Sequence, residues 1–124
     1  MSPRPVRERG YAHPELLTET DWLSEHLGDE NVRVVDARTR EQFEEGHIPG
    51  AVNLPGMQLY GPDGSVEIPG PDGFRDLASS IGVGDDTTLV VYDQAGPTAG
   101  RVAWGFLYYG HAHTRLLDGG LAKW

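Results

Sequence analysis

The chain has 124 residues, no cysteine, and 19 acidic against 10 basic side chains, for a formal net charge of −9. That length suits one domain and leaves no room for a second; the missing thiols exclude disulfides, thiolate metal sites and cysteine nucleophiles. The negative charge disfavours nucleic acid and anionic membranes, and with no apolar run of membrane-spanning length and no signal-peptide core at the start, a cytoplasmic protein is expected.

Residues 1–14 hold two prolines near the start, three arginines and no periodicity, which predicts an arm ahead of a single domain over 15–124. Leu16-Leu17 reads as a short edge strand entering a helix, with Thr18 as N-cap, Asp21 as its box partner and Leu17 against Trp22 as the apolar staple, and with Gly28 ending it. Residues 32–35 form a buried strand that leaves Asp36 at its C-terminal end, where open parallel sheets bind ligands. Thr39 with Gln42 caps a short helix over 40–45, followed by Gly46 and His47, and Ile48-Pro49-Gly50 fits a type II turn feeding a strand over 51–54. Arg38 and Arg40, just past the strand over 32–35, either line the crevice at its end or pair with surface acids, and surface pairing is the default expectation.

Residues 55–71 carry two turn signals, Gly-Pro-Asp-Gly and Pro-Gly-Pro-Asp-Gly, around Ser65-Val66-Glu67-Ile68, a loop with room for a small hairpin. Asp72 is the expected cap of a helix whose stripe is Phe74, Leu77, Ala78 and Ile81, closed by Gly82; Asp85 and Asp86 form a solvated turn. Residues 87–92, Thr-Thr-Leu-Val-Val-Tyr, lack polar alternation and read as a strand buried on both faces. From Ala99 the period changes: Ala99, Val102, Ala103, Phe106 and Leu107 make one helical stripe that Gly110 ends. Asp93, Gln94, Ala95, Gly96, Pro97 and Thr98 are therefore a tight loop opening onto a helix N-terminus. Its unpaired N–H groups and the helix dipole suit an anion or an ionised nucleophile, which makes this loop the candidate site.

His111 and His113 lack a neighbouring carboxylate and are expected as surface residues; no metal and no cofactor is expected. Leu116-Leu117 is the last strand and Asp118-Gly119-Gly120 its turn. Residues 121–124 start a helix too short to hold itself, so the chain is expected to be part of a longer parent.

Three ordered segments carry a family resemblance: Val34-Val35-Asp36-Ala37-Arg38 followed by Glu44-Glu45-Gly46-His47-Ile48-Pro49-Gly50-Ala51-Val52-Asn53, the strand-loop-helix over 87–109, and Leu117-Asp118-Gly119-Gly120-Leu121. From about Leu16 to Trp124 the chain resembles rhodanese-type sulfurtransferases. The resemblance implies an α/β fold: an open, mainly parallel five-stranded sheet with helices on both faces and an incomplete C-terminal helix. The family's catalytic loop begins with a cysteine that takes up sulfane sulfur as a persulfide, and matching the loop glycine and the helix places Asp93 there. A carboxylate oxygen is hard and cannot hold sulfane sulfur, which needs a polarisable thiolate.

An aspartate in that place resembles the non-catalytic, usually N-terminal, half of tandem-domain thiosulfate or 3-mercaptopyruvate sulfurtransferases. It implies a domain that walls one side of a cleft, partnered by a catalytic rhodanese domain of the same parent chain, with Asp93 a cap for the loop amides. Asp36 and His47 resemble an aspartate and a histidine of the family's first signature, and two roles stand open for them: an orienting pair for proton transfer at a partner's active site, or two side chains hydrogen-bonded to backbone. A stand-alone rhodanese-like binding or regulatory module is the alternative function. An aspartate nucleophile for phosphoryl transfer is disfavoured, because Gln94-Ala95-Gly96 supplies no carboxylate to hold a metal.

Overall fold

In the computed structural model, residues 16–55, 70–94 and 98–124 are described. The expected arm over 1–14, the hairpin around Ser65 to Ile68, and Ala95, Gly96 and Pro97 lie outside the described residues.

The elements run β1 (Leu17–Thr18), α1 (Thr20–His26), β2 (Val32–Asp36), α2 (Arg40–Glu45), β3 (Val52–Asn53), α3 (Pro71–Ser80), β4 (Thr88–Tyr92), α4 (Thr98–Tyr108), β5 (Thr114–Leu117) and α5 (Gly120–Lys123). Among the described residues the strands make one five-stranded sheet in the order β1-β5-β4-β2-β3. Every pairing is parallel, with Asp36 opposite Tyr92 and Thr18 opposite Leu117. A parallel sheet must be covered on both faces, and successive residues of its strands serve opposite faces. Val35, Leu89 and Val91 pack with Phe74 and Ile81 and with Ala99, Val102, Ala103 and Phe106 of α4. Val34, Val90, Tyr92 and Leu117 pack with Leu23 of α1, Phe43 of α2 and Leu121 of α5 on the other side.

Several local expectations hold in atomic detail. Thr39 and Gln42 form a reciprocal capping box at α2, and the Ile48-Pro49-Gly50 turn closes with Ala51 N–H donating to the Ile48 carbonyl at 3.0 Å while Gly50 takes φ 81°. Others give way. Thr18 is not the cap of α1; it is buried in β1, and Glu19 takes the cap position, its side chain making no capping bond to the helix. Asp72 lies inside the first turn of α3, because Pro71 holds the first helical position and Gly70 the cap. His111 is half-buried rather than superficial, with Nε2 2.7 Å from the Thr87 carbonyl.

Candidate functional site

β2 continues to β3 on one side and β4 continues to β5 on the other, so the neighbouring C-terminal ends of β2 and β4 form the switch point at which open parallel sheets leave a crevice. Asp36 ends β2 and Asp93 follows β4, which puts both candidate carboxylates at that crevice.

The Asp93 carboxylate turns onto the first residues of α4. Its Oδ2 accepts the Ala99 N–H at 2.8 Å and the Thr98 hydroxyl at 3.1 Å, and the side chain is only 6% exposed. A helix N-terminus leaves N–H groups without intrahelical partners and carries partial positive charge, and a carboxylate answers both. The main chain around Asp93 is held as well, by α5. Leu121 N–H donates to the Asp93 carbonyl at 2.8 Å and Ala122 N–H to the Gln94 carbonyl at 3.4 Å. Gly120 makes that approach feasible: a Cβ there would sit 2.6 Å from the Asp93 carbonyl oxygen and 2.9 Å from that of Gln94. Of the remaining loop residues, Gln94 is exposed and Thr98 half-buried.

Asp36 is fully buried and anchors a polar network. The Arg38 guanidinium bonds both of its carboxylate oxygens, through Nε at 3.1 Å to each and through Nη2 at 2.8 Å to Oδ2. The Tyr92 hydroxyl donates to Oδ2 at 2.7 Å and accepts the Ile48 N–H at 3.1 Å. Nη2 of Arg38 also reaches the Gly46 carbonyl at 2.6 Å. A buried charge is tolerable only when paired and hydrogen-bonded, and this one is both. The bond to Asp36 raises the Arg38 pKa further, and burial pushes the Tyr92 phenol well above its ordinary value. Arg38 is thus a buried partner and not a surface one, while Arg40 does pair with Glu44 on the surface at 3.2 Å.

His47 stands apart from this network. It is exposed, stacks on Phe43 at 3.8 Å, and places Nδ1 2.8 Å from the Phe43 carbonyl. Asp36 and His47 therefore have separate hydrogen bonds, and none joins them among the described contacts. Sequence reasoning missed Tyr92 as a site residue. A lone tyrosine closing an otherwise aliphatic strand directly before the candidate loop was the available signal.

The described site is a loop at the switch point of a parallel α/β sheet, shaped to steady negative charge at a helix N-terminus and filled by the chain's own carboxylate. Helix N-termini placed at a switch point in this way define a class of α/β domains that steady anionic groups there. Within that class the chain belongs to the rhodanese-like domain family, whose model matches residues 19–124. It is 38% identical over 117 residues to the sulfur carrier protein TtuD of Thermus thermophilus, covering 93% of this chain and 41% of that protein. It is likewise 38% identical over 117 residues to the putative thiosulfate sulfurtransferase SseA of Mycobacterium tuberculosis, covering 92% and 39%. The crystal structure of SseA from Escherichia coli, a 3-mercaptopyruvate sulfotransferase, superposes with a TM-score of 0.79 at 30% identity, over 88% of this chain and 47% of that one. The chain spans about two fifths of the length of these two curated relatives.

Proposed function

We propose that this chain is the cysteine-less half of a thiosulfate or 3-mercaptopyruvate sulfurtransferase, a domain that walls an inter-domain cleft and carries no persulfide of its own. The observation that carries this reading is the Asp93 carboxylate seated on the Ala99 amide and the Thr98 hydroxyl, at the position that the sequence resemblance matches to the family's nucleophile. Persulfide transfer forms an S–S bond at a thiolate and breaks the donor's S–S or C–S bond; a carboxylate offers no equivalent atom. The lengths of the relatives support a partner domain in the same parent chain, and the excluded water and shaped access of a closed cleft are what a silent half contributes.

Purified chain incubated with thiosulfate and cyanide is expected to form no thiocyanate above the uncatalysed rate, and turnover by clean protein would overturn the proposal. The coding gene gives the second test. A downstream domain with a cysteine at the start of its corresponding loop supports the reading, whereas a stop codon after Trp124 sinks it in favour of a free-standing module.

A further inference from the structure

A second concavity lies at the opposite end of the sheet from Asp93. It opens between α3 and the C-terminal end of α4, beside the segments leading into β4 and β5, with a volume of about 280 Å³. Phe74, Ala78, Val83, Phe106, Tyr109 and His111 line it, together with the charged side chains of Arg75 and Asp85. Its aromatic wall is preorganised: Phe74 meets Phe106 edge-on at 4.8 Å and Tyr109 at a 34° tilt at 4.6 Å, and Phe106 meets the His111 ring edge-on at 6.0 Å.

His111 supplies the polar valence. A carbonyl oxygen can only accept, so the 2.7 Å contact with Thr87 requires the proton on Nε2, and in the neutral ring Nδ1 is then a bare acceptor. No described residue donates to it. The ring is held by its Nε2 bond to Thr87, and the main chain that carries it is fixed by the His111 N–H donating to the Phe106 carbonyl at 2.9 Å and the His111 carbonyl accepting the Thr114 hydroxyl at 2.7 Å. Ligand sites combine apolar and aromatic walls with a few fixed polar groups, and this volume lies just below the range of about 300–1,000 Å³ typical for drug-sized ligands, which restricts it to a small molecule.

We propose that this groove binds a small one- or two-ring aromatic molecule bearing an N–H or O–H donor, the ring against Phe74, Phe106 and Tyr109 and the donor directed to Nδ1 of His111. Arg75 and Ser79 also line the groove and can donate hydrogen bonds, so the preference for a ligand with a donor rests on the Nδ1 acceptor of His111 beside the aromatic wall. The site is independent of the Asp93 loop and of any sulfur chemistry.

Indole is the probe and 1-methylindole its donor-less twin, titrated into isotope-labelled chain with amide and aromatic resonances followed by NMR. Indole is expected to shift resonances of Phe74, Phe106 and Tyr109, and 1-methylindole to bind about three- to tenfold more weakly, the worth of one ordinary hydrogen bond. Ala78→Leu fills the groove from α3 while keeping a good helix former, and is expected to abolish the shifts with the thermal unfolding transition retained. The proposal is overturned by the absence of shifts at saturating indole, by equal affinity for the two probes, or by binding that persists in folded Ala78→Leu protein.

Discussion

At the scale of single residues, the site rests on two carboxylates used in opposite ways. Asp93 caps a helix, and its replacement by alanine strands the Ala99 N–H. Asp93→Ala should cost about 1 kcal/mol of stability, the usual worth of an N-cap, and Asp93→Asn less, since its side-chain oxygen still accepts; urea unfolding of the three proteins checks the order. Asp93→Cys puts a thiol in the same cradle. Its pKa should fall clearly below the free-cysteine value of about 8.5, read from the pH dependence of iodoacetamide labelling, and an unshifted value would mean that the loop no longer favours negative charge. Asp36 instead holds the Tyr92 hydroxyl and the Arg38 guanidinium inside the protein. Because burial raises the folded Tyr92 pKa, the folded state keeps its proton while the unfolded chain loses it above about pH 10. Stability from this residue is whole below that pH and drains away as pH rises further, by up to about 1.4 kcal/mol per unit. Tyr92→Phe should be less stable near neutrality by about 1–3 kcal/mol, the cost of stranding buried partners, yet its stability should fall less steeply between about pH 10 and 11.5, where the wild-type phenol begins to titrate in the unfolded chain.

At the scale of elements, what could be read from the sequence was what local physics decides. β4 is an unbroken apolar run, α4 a stripe of period 3.6, and the α2 cap a Thr39 and Gln42 box, and each forms close to where its pattern puts it. Apart from Asp72, displaced by its neighbours Gly70 and Pro71, the failures are places where the folded surroundings take a residue that local rules had assigned. Thr18 reads as a cap but pairs with Leu117 in the sheet, its carbonyl accepting the Asp118 N–H at 2.8 Å. Arg38 reads as a surface base until Asp36 and the Gly46 carbonyl close around it. The seat of α5 was visible only as a Gly-Gly pair without a reason. The reason is steric, for Gly120 has φ 59° and presses on two carbonyls of the Asp93 loop. Gly120→Ala combines a left-handed backbone with that clash and should cost about 1–3 kcal/mol, with faster amide exchange at Leu121 and Ala122. Gly28→Ala, with open space around it, should change stability by less than about 0.5 kcal/mol.

At the scale of the whole molecule, charge is the property that reaches every element. A net charge of −9 on 124 residues makes the compact state repel itself, and the unfolded chain relieves that by spreading its carboxylates apart. The described surface pairs offset little: Arg40–Glu44 and Arg75–Asp72 join largely exposed side chains at 3.2 and 3.9 Å, and such pairs contribute about 0–1 kcal/mol. The Asp36–Arg38 pair is different, because its partners are buried and mobile ions cannot come between them. Salt at about 0.1 M cuts the reach of exposed charges to about 10 Å, so it weakens the summed repulsion, weakens the few surface pairs, and leaves the buried pair intact. Repulsion has the larger count of partners, 19 acids against 10 bases. Unfolding midpoints in urea should therefore rise with sodium chloride between low and physiological ionic strength. A midpoint that falls would mean that the surface pairs outweigh the net charge.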